Sequence, residues 1–129
     1  MSKWPKLKGV ETDRSPKVTP EVISVNYDLW TLRITLLFTD DKNPTYVDFG
    51  AIAGFRVLDE GQLLEFWGPD TENHWLFTVE SKGWLAMEAS RETAPFITED
   101  GKLTEYLVAG INECVSIISY GEPTIFTVK

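Results

Sequence analysis

The residues able to do chemistry in this chain are few. It holds one cysteine, Cys114, and one histidine, His74, so a thiolate–imidazole couple between them is the only Cys/His nucleophile available. Cys114 lies in Glu113-Cys114-Val115-Ser116-Ile117-Ile118, a strand pattern in which cysteine packs as a small hydrophobe. His74 stands beside Trp75 where a strand begins, and no catalytic couple is expected. The same two residues are too few for an ordinary zinc site. Adjacent carboxylates at Asp40/Asp41, Asp59/Glu60 and Glu99/Asp100 are the candidates for acid–base work. Each pair sits on a turn or helix start, where aspartate bonds the local main chain, and that role accounts for them. No loop of alternating aspartates gathers oxygens for calcium. Gly50-Ala51-Ile52-Ala53-Gly54 lacks the lysine of a phosphate-cradling loop, and its glycines suit a bulge or tight bend. The expectation is a protein that is not an enzyme, with no cofactor and no metal.

The elements that position these residues are mostly strands. Pro5, Pro16 and Pro20 break residues 1–20, which read as an irregular basic lead-in, and residues 21–129 read as a single β-rich domain. Leu32, Ile34, Leu36 and Phe38 alternate with Thr31, Arg33 and Thr35, the period of a half-buried strand. The turn residues Asp40-Asp41-Lys42-Asn43-Pro44 lead to a second extended run at 46–49, and the two make a hairpin. Trp75, Phe77 and Val79 alternate in the same way. After the turn Ser81-Lys82-Gly83, Trp84–Ala89 reads as a returning strand. Residues 103–109 and 113–120 flank the loop Gly110-Ile111-Asn112, and 124–128 form a last strand. One helix is expected over about 60–67, with Leu58 before it, Asp59 as N-cap and Gln62 completing a capping box. Gly68 and Pro69 would stop it. The fold class is therefore mainly β: an antiparallel curled sheet, sandwich or half-barrel of about eight strands with one short helix.

Charge narrows the function classes. Residues 1–17 carry five basic and two acidic groups, whereas residues 18–129 carry seven basic and eighteen acidic groups, a body charge of −11. Such a body repels phosphate backbones, so direct nucleic-acid binding is not expected, and it attracts a basic partner. No apolar run spans a bilayer and no signal peptide is visible, so the expected setting is the cytoplasm, without membrane contact. Five tryptophans supply material for a core or for anchors: Trp67 and Trp84 read as core, Trp30 and Trp75 as exposed anchors beside acidic loops.

Residues 46–67, Gly83-Trp84-Leu85, Glu105-Tyr106-Leu107-Val108 and Glu113-Cys114-Val115-Ser116-Ile117 follow one another in a pattern that includes Phe55-Arg56-Val57-Leu58-Asp59-Glu60. Over most of residues 22–128 this pattern resembles small bacterial immunity proteins of polymorphic or contact-dependent toxin systems. The resemblance implies a cytosolic, non-catalytic inhibitor that occludes the active surface of one cognate toxin. The acidic body suits a basic nuclease. Candidate contacts are Asp70, Glu72, His74 and Trp75, then Glu88, Arg91 and Glu92, with Trp30 as a further anchor, because charged groups beside an aromatic make interface rims and anchors. Arg56 is expected to pair internally with Asp59 or Glu60. The alternative is a small-ligand-binding β domain with an aromatic pocket. Monomer and homodimer both remain open, because an exposed edge strand could pair with a second copy or with the toxin.

Overall fold

The alternation of Leu32, Ile34, Leu36 and Phe38 becomes a fully buried stripe, while Arg33, Thr35 and Leu37 lie half-open on the other side. The computed structural model describes residues 6–12, 19–59, 74–81, 83–89 and 103–127. Among these residues are β1 (Lys6–Gly9), β2 (Glu21–Tyr27), β3 (Leu32–Leu37), β4 (Thr45–Phe49), β5 (Ile52–Asp59), β6 (Leu76–Ser81), α1 (Trp84–Ala89), β7 (Thr104–Ala109), β8 (Glu113–Ser119) and β9 (Thr124–Thr127). They form two antiparallel sheets, a five-stranded one in the order β1-β6-β7-β8-β5 and a four-stranded one in the order β2-β3-β4-β9. Neither closes into a barrel, and the mainly β sandwich class expected from the pattern is the class observed.

The inner faces meet in one apolar layer. Leu32, Ile34, Leu36, Phe38, Val47 and Phe49 of the four-stranded side pack with Leu76, Tyr106, Val108, Val115 and Ile117 of the other. Phe49 meets Tyr106 at 5.3 Å between ring centroids, and Phe38 meets Trp75 edge-on at 5.6 Å. A second cluster, Phe77, Leu107, Ala109 and Cys114 with Leu7, Leu58 and Val79 against it, covers the outer face of the five-stranded sheet. Strands β7 and β8 are consequently buried on both faces, which is why their sequences run nearly continuous in apolar residues.

The described strands change sheets three times, between β1 and β2, β4 and β5, and β8 and β9, and the last two crossings are tied together. The chain passes from β4 to β5 at Gly50-Ala51 and from β8 to β9 after Ser119. The Tyr120 N–H donates to the Ala51 carbonyl at 2.9 Å, and the Ser119 hydroxyl donates to the same carbonyl at 3.1 Å. Between Ile52 and Gly54 the β5–β8 register slips, the bulge that the glycine-rich stretch suggests.

Three expectations are corrected. Lys6–Gly9, placed in an irregular lead-in, is an edge strand: it pairs with β6, Leu7 packs on the outer cluster, and the Val10 N–H donates to the Leu76 carbonyl at 2.9 Å. Leu58 and Asp59, placed before a helix, belong to β5, whose ladder with β8 continues to the pair Asp59 and Glu113. The rest of the expected 60–67 helix lies outside the described residues. Trp84–Ala89, expected as a strand, is the helix α1. Its Leu, Ala, Met and Glu residues are good helix formers, and the Met87 N–H donates to the Gly83 carbonyl at 3.2 Å.

Candidate partner-binding site

The most exposed apolar residues of the described chain stand together at the turn between β2 and β3. Leu29 is 79% exposed and Trp30 83%. Their presentation begins with Asp28, whose Oδ1 accepts the main-chain N–H of Trp30 at 2.9 Å and of Thr31 at 2.7 Å. These bonds hold the Asp28 carboxyl below the usual carboxylate range, the Thr31 bond first and the Trp30 bond second. The Asp28 N–H donates to the Thr31 carbonyl at 3.3 Å and closes the hairpin. Leu29 sits at φ 78°, in the left-handed region where a glycine would be free of strain. The strain and the exposure of a large apolar side chain coincide at this one residue.

The base of the hairpin is fixed from both sides. Inward, Leu32 is fully buried and the Tyr27 ring meets Phe55 of the opposite sheet edge-on at 5.6 Å. Outward, Arg33 makes a two-pronged ion pair with Asp48, Nε to Oδ1 and Nη2 to Oδ2, each at 2.9 Å. Its guanidinium lies 4.1 Å from the Tyr46 ring centroid, with Phe126 beside that ring. The Asp48 bond raises the Arg33 pKa above its ordinary value. An anchor on such a base loses little freedom on binding.

The residues singled out from sequence distribute differently. Trp30 is exposed as expected. Trp75 is not an exposed anchor: it is 2% exposed and packs on Phe38, because the residue following His74 turns into the layer between the sheets. His74 is half-buried, its Nε2 lies 3.1 Å from Glu11 Oε1, and its ring packs near Phe77. A Cβ on Gly9 would overlap the imidazole, so His74 closes β1 onto the sheet. Glu88 lies on α1, while Asp70, Glu72, Arg91 and Glu92 fall outside the described residues, as does Trp67. Trp84 is half-buried. Cys114 is buried among Phe77, Leu107 and Ala109, where its thiol is a packing group. Among the described residues no three His, Cys, Asp or Glu side chains converge as a metal site, and no helix is long and apolar enough to cross a membrane.

Sequence reasoning missed two features. Leu29 carried a signal, since two large apolar residues occupy a turn where glycine or asparagine is usual. The other is a polar island on the outer face of the five-stranded sheet. Arg56 of β5 is the register partner of Ser116 of β8, and Glu105 of β7 lies on the same face one step along. The Asp59 and Glu60 side chains, the partners expected for Arg56, lie outside the described residues; the Arg56 guanidinium lies 4.9 Å from the Trp84 ring centroid, and its charge acts on Glu105. Glu105 is 1% exposed, and its Oε1 accepts the Leu85 N–H at 2.8 Å at the start of α1. Burial pushes its carboxyl up, against the lowering effect of the Leu85 and Trp84 amides and of Arg56. Arg56 Nε, Glu105 Oε2 and Ser116 Oγ are buried without a hydrogen-bond partner. The island seats α1 on the sheet through Glu105.

An open cleft of about 490 Å³ runs along β1 and β6; the described residues that line it, Lys8, Val10, Glu11, Thr78, Glu80 and Thr104 among them, include no aromatic ring. Comparison of the chain with protein-family models, curated proteins and solved structures gives no match.

Proposed function

We propose that this protein is a non-catalytic binding module of immunity type, which neutralises a cognate bacterial toxin by occluding its active surface. The observation that carries the reading is the Leu29–Trp30 tip: a large apolar pair, exposed, conformationally strained and mounted on a fixed hairpin. Tryptophan is the side chain most often found as an energetic anchor in protein interfaces, and anchors work best when held rigid before contact. The body around the tip carries −11, so the occupant that fits is a basic protein, with a nuclease as the leading class because its own cleft must attract phosphate. Long-range attraction would speed the encounter, and the tip would set the residence time.

The test is affinity capture from lysate of the source cells with the wild-type protein and with Trp30→Ala, washed at low and then high salt. The expected result is one basic protein retained by the wild type, shed at high salt, lost from Trp30→Ala and inhibited in a nuclease assay by the wild type. Equal retention by both forms, or capture of a protein whose activity is unaffected, would overturn the reading.

A further inference from the structure

β2 is an edge strand of the four-stranded sheet, and its two halves are treated differently. At its start the edge is closed. The register with β3 slips between Val22 and Ser24, and the Asn112 side chain pairs with Val22 as a neighbouring strand would. Its Oδ1 accepts the Val22 N–H and its Nδ2 donates to the Val22 carbonyl, each at 3.0 Å. A bulge and a side-chain plug are two of the devices that keep an edge from recruiting another strand. Beyond Ser24 neither device appears among the described residues. Because the Asp28 N–H points at Thr31, the alternation of an antiparallel ladder turns the main-chain groups of Asn26 and Ser24 toward β3 and those of Val25 and Tyr27 outward. Residues 21–32 contain no lysine, arginine or proline, the usual deterrents, and carry the acids Glu21 and Asp28. The open window runs directly into the Leu29–Trp30 tip, and the half-exposed Tyr27 ring lies beside it against Phe55.

We infer that residues 24–27 of β2 are a docking edge on which an extended segment of the partner adds as a strand, alternating apolar residues with lysine or arginine. The inference rests on the partner-binding reading and specifies how the partner sits. Main-chain bonds to Val25 and Tyr27 supply affinity without sequence preference. The partner's apolar side chains continue the Tyr27–Phe55 surface on one face, and its basic side chains meet the acidic field on the other. The same −11 body repels a second copy of this chain, so the unprotected edge does not pair with itself.

The experiment uses the full chain and two eight-residue probe peptides, one alternating valine with lysine and one alternating valine with glutamate, read by amide exchange in NMR spectra. At ten times its dissociation constant the valine–lysine peptide slows exchange of the Val25 and Tyr27 amides about tenfold, and the valine–glutamate peptide leaves them unchanged. Val25→Pro removes one outward N–H without touching the β3 ladder, and Asn26→Lys places a repelling charge on an exposed position; both abolish the protection of the Tyr27 amide. Protection by neither peptide, equal protection by both, or protection confined to the β5 or β9 edge overturns the inference. Protection that appears without peptide and grows with protein concentration overturns it in favour of a second copy. A toxin that is captured through Trp30 while Val25 and Tyr27 exchange unchanged defeats this inference alone. Peptide protection with no captured toxin defeats the immunity reading and leaves the docking edge standing.

Discussion

The hairpin tip and the outer face of the five-stranded sheet break the burial rule in opposite directions. At the tip, Leu29 and Trp30 hold apolar surface in water, and at the sheet Arg56, Glu105 and Ser116 hold polar atoms away from it. Each arrangement costs free energy, but the compensation differs. Glu105 bonds the first turn of α1 and sits within the field of Arg56, so the buried charge is tied to the placement of a neighbouring element. Leu29 and Trp30 leave most of their side-chain surface in water. On the proposed reading, buried polarity in this protein serves the fold and the exposed apolar tip serves contact.

The comparison is broken most sharply at Glu105. Glu105→Ala removes the acceptor for the Leu85 N–H and strips Arg56 of the charge facing it, and is expected to cost about 3 kcal/mol in a urea unfolding curve. Replacing Gly83 with alanine probes the same seat, because a Cβ there would come within 2.7 Å of Glu105 Oε1 and 2.5 Å of Val79 Cγ1. The pH dependence sharpens the point. A carboxyl raised in the folded state binds its proton more tightly there than in the unfolded chain. Stability therefore falls as pH rises from the ordinary glutamate value through the raised one. Glu105→Gln is expected to flatten that slope, which unfolding curves at a series of acid pH values would record. Arg33→Ala, which removes the Asp48 pair and the stack on Tyr46 at a half-exposed site, is expected to lower the urea midpoint by less than Glu105→Ala does. Leu29→Gly relieves left-handed strain that exceeds the extra chain entropy glycine loses, and is expected to stabilise by about 0.5 kcal/mol while weakening partner capture.

How much of this was legible follows from which period each segment displays. β3 and β4 are buried on one face only, so Leu32, Ile34 and Leu36 announce themselves by alternation. β1 has a single apolar residue, Leu7, between two lysines, and its partner β6 is some seventy residues away, so local pattern carries nothing of the pairing. The six residues of α1 are too few to display a helical period, and Trp84 and Leu85 read as strand until Glu105 is seen at their amides. Asp59 and Gln62 form a capping signature, yet the ladder to Glu113 holds Asp59 in β5: a long-range pairing overrides a local preference. Trp30 was legible because turn residues have no inside to face. Trp75 was not, because a shift of one residue exchanges the two faces of a strand. The polar island needs three strands in register before its members meet, and no spacing along the chain encodes that.

The central claim is that the tip is kept for contact and contributes nothing to the fold. Titration calorimetry of the captured toxin against wild type and Trp30→Ala, beside unfolding curves of both forms, tests it most directly. Trp30→Ala is expected to weaken binding by at least about thirtyfold, a loss of about 2 kcal/mol, with unfolding free energies within about 0.5 kcal/mol of each other. Unchanged affinity, or a loss of stability as large as the loss of binding, would contradict the account.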